Sequence, residues 1–212
     1  MKLYGYWRSS AAYRVRIALN LKQLSYENLP VHLLNQGGEQ HSSHYKALNP
    51  AELVPLLIDG DLTLNQSLAI IEYLDEIYPE PALLPADTAL KAQVRAVALD
   101  IACDIHPLNN LRVQQYLSGP LALDAQQKQA WMKHWLHTGL AALEQRLERT
   151  SGPYCFGDQL TLADICLVPQ VYNAQRFGLD MAAYPAISLV HHHCQQLAAF
   201  ALAAPEQQPD AQ

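Results

Sequence analysis

The chain has 212 residues, of which 50% are hydrophobic and 16% are charged, and this composition excludes an intrinsically disordered protein. The formal net charge of −6 at pH 7 excludes a general binder of nucleic acids, although a local basic pocket for a small anion is compatible with it. No apolar run approaches the roughly 20 residues that a membrane-spanning helix needs.

The first 78 residues alternate between strand and helix patterns. Strand-prone runs cover residues 2–7, 25–33, 54–58 and 62–64. Apolar residues at helical spacing cover residues 10–21 and 66–78. The sequence Asp59-Gly60-Asp61 joins the last two runs and is typical of a hairpin. This order of elements predicts a small sheet covered by helices.

Pro79, Pro81 and Pro85 mark a linker, after which strand patterns nearly vanish. Helices are predicted over residues 88–117, 124–149, 162–177 and 185–202. The sequence from Thr161 to Asp164 predicts a capping box at the start of the third of these helices. The tail from Pro205 is rich in Gln and Pro, and we expect it to fray. The chain therefore divides into domains at residues 1–80 and 86–212.

The N-terminus and the cysteines indicate a cytoplasmic protein. The first four residues lead directly into a strand pattern and lack the apolar core of a signal peptide. The cysteines are far apart, form no C-x-x-C pair and are typical of reduced, structural thiols: Cys103, Cys155, Cys166 and Cys194.

The turn Trp7-Arg8-Ser9-Ser10 connects the first strand to the first helix. A helix start offers free backbone N–H groups and a partial positive charge, and both stabilise an anion such as a thiolate. A serine at this point can donate a hydrogen bond to a bound sulfur. Serine is also a preferred helix cap, so the turn alone leaves both interpretations open.

Two further features favour a binding site. Pro55 stands at the start of a predicted strand, where a rigid or cis turn would present the backbone of Val54 to an extended peptide. Gln66 and Ser67 lie at a second helix start, which suits a carboxylate. By contrast, three consecutive histidines from His191 point in different directions on a helix, so no metal site is predicted.

These features together resemble the zeta class of cytosolic glutathione transferases over nearly the whole chain. The resemblance is carried by residues 6–10, 13–19, 47–50, 53–55, 66–74, 104–110, 157–158, 161–164 and 167–171, with Arg176 and Phe177. It implies an α/β plus all-α architecture, in which a thioredoxin-like N-terminal domain precedes an all-helical C-terminal domain. It also implies a homodimer and glutathione as the cofactor.

The resemblance implies a set of site residues. The predicted catalytic residues are Ser9, Ser10, Arg8 and Arg176. The predicted glutathione-binding residues are Ser9, Ser10, Gln40, Val54, Gln66, Ser67, His106 and Asn110. His106 and Asn110 fall one turn apart on a predicted helix, where we expect them to hold the glycine carboxylate of glutathione or a substrate oxygen.

The implied activity is glutathione-dependent cis–trans isomerisation of maleyl diketo acids. The usual Ser-Ser-Cys of the family reads Ser9-Ser10-Ala11 here, which leaves the substrate open between maleylacetoacetate and maleylpyruvate. The alternatives are a general glutathione transferase or α-halo acid dehalogenase, and a non-catalytic glutathione-binding scaffold. A scaffold would need neither Ser9 nor the arginines Arg8 and Arg176.

Overall fold

The chain begins with a strand, a helix and a second strand of one sheet in the computed structural model, which describes residues Met1–Gln212. Two compact units are present, one of residues 1–83 with 197–212 and one of residues 84–196. The last sixteen residues thus pack with the first unit, whereas the predicted domains assign them to the second.

The first unit contains a sheet of four strands in the order β2-β1-β3-β4. The strands are β1 (Lys2–Gly5), β2 (Glu27–Pro30), β3 (Leu56–Asp59) and β4 (Leu62–Asn65). β1 runs parallel to β2 and antiparallel to β3, and β3 pairs antiparallel with β4. Gly60, at a φ of 58°, makes the turn of the predicted hairpin. Glycine adopts this left-handed conformation without steric cost.

Helices cover this sheet, as the sequence predicted. They are α1 (Ser10–Leu21), α2 (Ser43–Leu48), α3 (Ser67–Ile77) and α9 (Ala198–Ala203). α1 packs against both α3 and α9. Nine of the twelve residues of α1 are buried, so this helix forms the centre of the core of the first unit.

The second unit is helical throughout. Its helices are α4 (Thr88–Leu99), α5 (Leu111–Ser118), α6 (Ala125–Thr150), α7 (Leu162–Arg176) and α8 (Pro185–Gln195). The capping box of α7 is confirmed, because Asp164 accepts hydrogen bonds from the backbone N–H of Thr161 (2.8 Å) and of Cys155 (2.7 Å). Burial raises the pKa of Asp164, and these hydrogen bonds oppose the rise.

The prediction of one continuous helix over residues 88–117 is wrong. α4 passes into a π-helical segment, Asp100–Ile105, and a 3-10 turn, His106–Asn109, before α5 begins. Pro107 has no N–H to donate to the preceding turn. The Asn109 side chain donates to the Ile105 carbonyl at 2.9 Å and so competes with the helical pattern.

Two predictions for the C-terminal region are also wrong. The helix predicted over residues 185–202 breaks into α8 and α9 at Leu197, whose extended backbone (φ −81°, ψ 129°) ends the helical pattern. Side chains of α1 hold α9 in place. Tyr13 and Asn20 donate to the carbonyls of Phe200 (3.4 Å) and Ala199 (3.0 Å). The tail from Pro205 is not frayed, since the Gln208 side chain is buried and donates to two carbonyls of the same segment.

His191 is a buried side chain of α8. Neither His191 nor its neighbours form part of a group of three or more His, Cys, Asp or Glu side chains that could hold a metal ion. A search of the helices for a candidate membrane span also finds none. The Nε2 atom of His191 is buried without a hydrogen-bond partner. Burial, with a smaller contribution from the charge of His192, lowers the pKa of His191 to about 4.

The depressed pKa of His191 predicts a loss of stability in mild acid. The unfolded chain takes up this proton near pH 6.5, whereas the folded chain resists it down to about pH 4. Between about pH 7 and about pH 5 this histidine should therefore lower the free energy of unfolding by about 2 kcal/mol. Urea unfolding at several pH values should show a flatter pH dependence for His191→Leu, whereas His44→Gln, which changes an exposed histidine, should retain it. Equal pH profiles for both variants and the unmodified protein would contradict the expectation.

Candidate active site

The first part of the site is the turn that leads from β1 into α1. The backbone N–H of Ser9 donates to the Tyr6 carbonyl at 2.9 Å and closes the turn. Ser9 is the N-cap of α1, and its Oγ accepts from the Ala12 N–H at 3.2 Å. A hydroxyl has one hydrogen and two lone pairs, so Ser9 caps the helix while its hydrogen stays available to a ligand. The two interpretations of this serine are therefore compatible.

Arg8 and Ser10 flank this serine. The Arg8 guanidinium lies 4.6 Å from the Trp7 ring centroid and donates to the Tyr6 hydroxyl at 3.3 Å. These contacts hold the guanidinium close to the turn. Ser10 is the first residue of α1 and is buried.

The second part is the loop before β3. The peptide bond between Val54 and Pro55 is cis. The carbonyl of the preceding residue, Leu53, accepts from the Tyr45 hydroxyl and from the Asn49 side chain, each at 2.7 Å. Burial raises the pKa of Tyr45 to about 12, so this hydroxyl stays protonated as a donor. Val54 makes no backbone hydrogen bond within the chain, and its N–H and carbonyl remain for a ligand.

The third part is the start of α3. No side chain caps this helix, so its first N–H groups are left for a ligand. Gln66 precedes the helix at a φ of 69°, a conformation that is strained for a residue with a side chain and that recurs at functional sites. Ser67 is buried, and its Oγ accepts from Nη1 of the buried Arg14 at 3.3 Å. An uncapped helix start with a buried cation beside it suits an anion.

Gln40 is the fourth part, in a short 3-10 turn, Glu39–His41. Its Nε2 lies 3.4 Å from the Leu33 carbonyl and 3.0 Å from His41 Nε2, while its Oε1 is buried without a partner. His41 also contacts Glu52, and this hydrogen bond, with that of Lys46, lowers the pKa of the Glu52 carboxyl. The contact between His41 and Glu52 ties the Gln40 turn to the loop that carries Val54, and the ion pair of Glu52 with Lys46 ties that loop to α2.

Hydrogen bonds connect these four parts. Arg14 lies one turn after Ser9 on α1 and links that helix to the start of α3. The Asn65 side chain, at the end of β4, lies 3.5 Å from the Asn49 side chain and so links the α3 start to the Val54 loop. The predicted residues of the first unit are thus parts of one connected framework.

The sequence interpretation did not identify Arg14 and Asn49 as site residues. Both entered it only within residues 13–19 and 47–50, which carry the resemblance. Arg14 still offered a sequence signal. Its position one turn into a buried helix was the available signal, because a buried guanidinium requires a partner.

The second unit holds the remaining predicted residues. His106 begins the 3-10 turn and is half-buried, whereas Asn110 has an extended backbone and caps α5 by accepting from the Arg112 N–H at 3.1 Å. The expectation that His106 and Asn110 share one helix face is wrong, because the helix breaks between them. His106 is instead held by the 3-10 turn, and Asn110 is held by its position as the cap of α5.

Arg176 lies at the C-terminal end of α7 and lines a pocket of about 350 Å³ within the second unit. Its guanidinium donates to the Asn173 side chain at 3.0 Å and lies 4.4 Å from the Phe177 ring centroid. The pocket is lined by Gln114, Ala125, Lys128, Gln129, Met132, Arg176, Phe177 and Gly178. Two cations, two amides and no carboxylate line this pocket, and Lys128 was not identified from the sequence. Such a lining suits an anion.

Comparison with known proteins agrees with this architecture. Residues 3–82 match the family model of the glutathione S-transferase N-terminal domain, and residues 122–191 match that of the C-terminal domain. A probable maleylacetoacetate isomerase of Vibrio cholerae is 60% identical over 209 residues, which cover 99% of this chain and 97% of that protein.

Two solved structures are similar over the full length of both chains. The holo structure of maleylpyruvate isomerase, a bacterial zeta-class glutathione S-transferase, is 48% identical, with a TM-score of 0.97. Maleylacetoacetate isomerase from Methylobacterium extorquens AM1, with bound malonate and glutathione, is 40% identical, with a TM-score of 0.96. With family models matching both halves and a full-length relative at 60% identity, the chain belongs to the glutathione S-transferase family.

Proposed function

We propose that the chain is a glutathione-dependent cis–trans isomerase of maleyl diketo acids, with maleylacetoacetate as its substrate. The observation that carries this proposal is the Ser9 hydroxyl, which caps α1 with one lone pair and keeps its hydrogen for a sulfur at a positive helix start. The names of the relatives at 60% and 40% identity support the same activity.

Glutathione fits the polar groups that the first unit presents in these four parts. It carries a carboxylate at each end and a peptide backbone between them. The uncapped start of α3, with Gln66, Ser67 and the buried Arg14, suits the carboxylate of the γ-glutamyl end. Val54 offers the N–H and the carbonyl that an extended peptide requires. Gln40 has a buried side-chain oxygen without a partner.

His106 and Asn110 are proposed to bind at the glycine end of glutathione or at a substrate oxygen. The Asn110 Oδ1 is occupied in capping α5, so its amide nitrogen is the group that can donate to a carboxylate.

Bound glutathione supplies a thiolate that adds reversibly to the double bond, which can then rotate before the thiolate leaves. The chain must stabilise the negative charge at each stage. Ser9 donates its hydroxyl hydrogen, and the N–H groups of the first turn of α1 add a partial positive charge. Ser10, the first residue of that turn, adds a second hydroxyl. The protein supplies no thiol at this turn, because the position after Ser10 is Ala11.

Arg8 and Arg176 are proposed to anchor the substrate's carboxylates. A guanidinium pairs with a carboxylate through two parallel hydrogen bonds and fixes its orientation. Arg8 is held on the Trp7 ring. Arg176 shares its pocket with Lys128, so a second cation reinforces the preference for anions there. Each arginine also packs on an aromatic ring, which limits the side-chain freedom that binding must remove.

Maleylpyruvate is a second candidate substrate. It is favoured by the similarity to the maleylpyruvate isomerase structure, whose identity of 48% exceeds the 40% of the maleylacetoacetate isomerase structure. The two acids share the maleyl end and differ by one methylene group at the other, so the residues named above serve either.

We also propose a homodimer in the cytoplasm. The homodimer follows from the resemblance to cytosolic glutathione transferases, and contact with a second copy would bury the exposed side chains of Ile77 and Leu62. The four cysteines are all free thiols, as expected in a reducing compartment. The mass of the protein in solution tests the homodimer, and cell fractionation tests the cytoplasmic location.

The isomerase proposal predicts turnover without consumption of glutathione. Maleylacetoacetate and maleylpyruvate should each be followed by absorbance, with and without glutathione, while the free thiol is measured in parallel. We expect conversion to the trans acid only with glutathione, at constant thiol concentration. Failure to convert either acid, together with conjugation of α-halo acids, would instead establish the transferase or dehalogenase alternative. Glutathione binding without any turnover would establish the scaffold.

The role of Ser9 predicts a large effect from loss of its hydroxyl. Ser9→Gly should lower kcat about 10²- to 10³-fold, the effect of removing one donor to a developing anion. Glycine retains most of the stability of a serine cap, so the unfolding temperature should change little. Ser42 provides a matched control, since it caps α2 by accepting from the Tyr45 N–H at 3.2 Å. Ser42→Gly should leave kcat nearly unchanged, and equal effects of the two variants would remove Ser9 from its proposed role.

The packing of Gln40 on Gly38 predicts a selective effect on glutathione affinity. A Cβ on Gly38 would lie 2.4 Å from the Gln40 Nε2 and 2.7 Å from its Oε1, so Gly38→Ala must displace the amide. We expect the dissociation constant of glutathione, measured by calorimetry, to rise about tenfold.

Gly37→Ala is the control, because Gly37 also has a positive φ but a Cβ there would meet no atom within 4 Å. Both variants carry backbone strain, and only one moves Gln40. A similar loss of affinity in the two would show that strain in the loop, and not the position of Gln40, controls binding.

A further inference from the structure

The peptide unit between Tyr6 and Trp7 is held at both ends. Its carbonyl accepts from the Ser9 N–H at 2.9 Å and lies 3.5 Å from Nη1 of Arg16. Its N–H donates to the Asp210 carboxylate at 3.0 Å. The partner of this N–H therefore comes from more than 200 residues along the chain. A peptide that donates to a charged acceptor becomes a stronger acceptor at its carbonyl.

The segment that carries Asp210 is itself firmly attached to the first unit. Arg16 is buried, and its Nε donates to the Ala203 carbonyl at 3.0 Å while its Nη2 donates to the Trp7 carbonyl at 2.9 Å. One guanidinium thus connects the turn to the end of α9. Gln208 continues the attachment, because its side chain donates to the carbonyls of Leu202 and Ala204.

We propose that Asp210 is a positioning residue for the glutathione thiolate, acting through the Trp7 N–H on the turn that places Ser9. The β-turn at this point begins one residue before the segment Trp7–Ser10 and consists of Tyr6, Trp7, Arg8 and Ser9. The hydrogen bond from the Ser9 N–H to the Tyr6 carbonyl closes it. Trp7 is the second residue of this turn, a position whose N–H has no partner inside the turn. Asp210 supplies that partner and fixes the tilt of the Tyr6–Trp7 peptide. The direction of the Ser9 hydroxyl follows from that tilt.

This inference rests on the proposed contact between Ser9 and the glutathione sulfur. It concerns a residue that touches neither glutathione nor substrate. Asp210 is only partly buried and its carboxylate bonds a backbone N–H, so its loss acts on the turn and leaves the apolar core intact.

The first test is made without any ligand. Amide hydrogen exchange at Trp7 should accelerate about tenfold or more in Asp210→Ala, because the N–H loses its charged acceptor. Asp210→Asn retains a side-chain oxygen that accepts the same bond, so its exchange should return to within about threefold of the unmodified protein. Gln207→Ala, at an exposed position of the same segment, should leave the exchange at Trp7 unchanged.

The second test measures the thiol of bound glutathione through the ultraviolet absorbance of its thiolate across pH. Its acid dissociation constant should fall about tenfold in Asp210→Ala, recover in Asp210→Asn and stay unchanged in Gln207→Ala. Unchanged exchange at Trp7, or an unchanged thiol constant despite faster exchange, would overturn the proposal. So would exchange that accelerates equally at all core amides, since that result would mean a general loss of stability.

Ser9→Gly separates this inference from the proposed function. If Ser9→Gly does not change the thiol constant, the proposed contact of Ser9 with sulfur fails and the inference fails with it. If Ser9→Gly changes the constant and Asp210→Ala does not, the proposed function stands and only the role of Asp210 is overturned.

Discussion

The first turn of every helix leaves backbone N–H groups without partners inside the helix, and the first unit uses two such turns differently. At α1, the Ser9 hydroxyl takes up one of these groups and keeps its own hydrogen for a ligand. At α3, no side chain takes them up, and the buried Arg14 adds a charge beside Ser67. In the proposed function, the capped helix start binds the thiol of glutathione and the uncapped helix start binds one of its carboxylates.

Two buried arginines on α1 make this arrangement rigid. A buried guanidinium is costly unless its donors find acceptors, so each arginine fixes the groups that it contacts. Arg14 fixes the α3 start through Ser67, and Arg16 fixes the active-site turn and α9 through the carbonyls of Trp7 and Ala203. The site therefore depends on a buried helix whose two arginines, in its first two turns, hold neighbouring segments in place.

Local sequence patterns correctly predicted the features that depend on neighbouring residues. The bounds of α1, the hairpin at Gly60 and the capping box at Asp164 all follow from residues close together in the chain. The break after α4 was missed, because periodicity continues through it while the Asn109 side chain competes for a carbonyl.

The C-terminal segment was missed for a different reason. Its order comes from side-chain donors on α1, nearly two hundred residues away, which no local pattern records. The same reason applies to the site. Ser9 and Ser67 follow from helix starts and resemblance, whereas Arg14 and Asn49 become visible only when distant segments meet.

The return of residues 197–212 to the first unit has a consequence for synthesis of the chain. A ribosome releases residues 1–83 first, but the carbonyls that Arg16 and Tyr13 require emerge only after residues 84–196. The second unit is continuous, so it can fold before the first is complete. Until then the nascent chain holds α1 with an apolar face that α9 does not yet cover, and the Nε of Arg16 has not yet met the Ala203 carbonyl. Chaperone binding during translation is therefore expected at the N-terminal segment, even though that segment is made first.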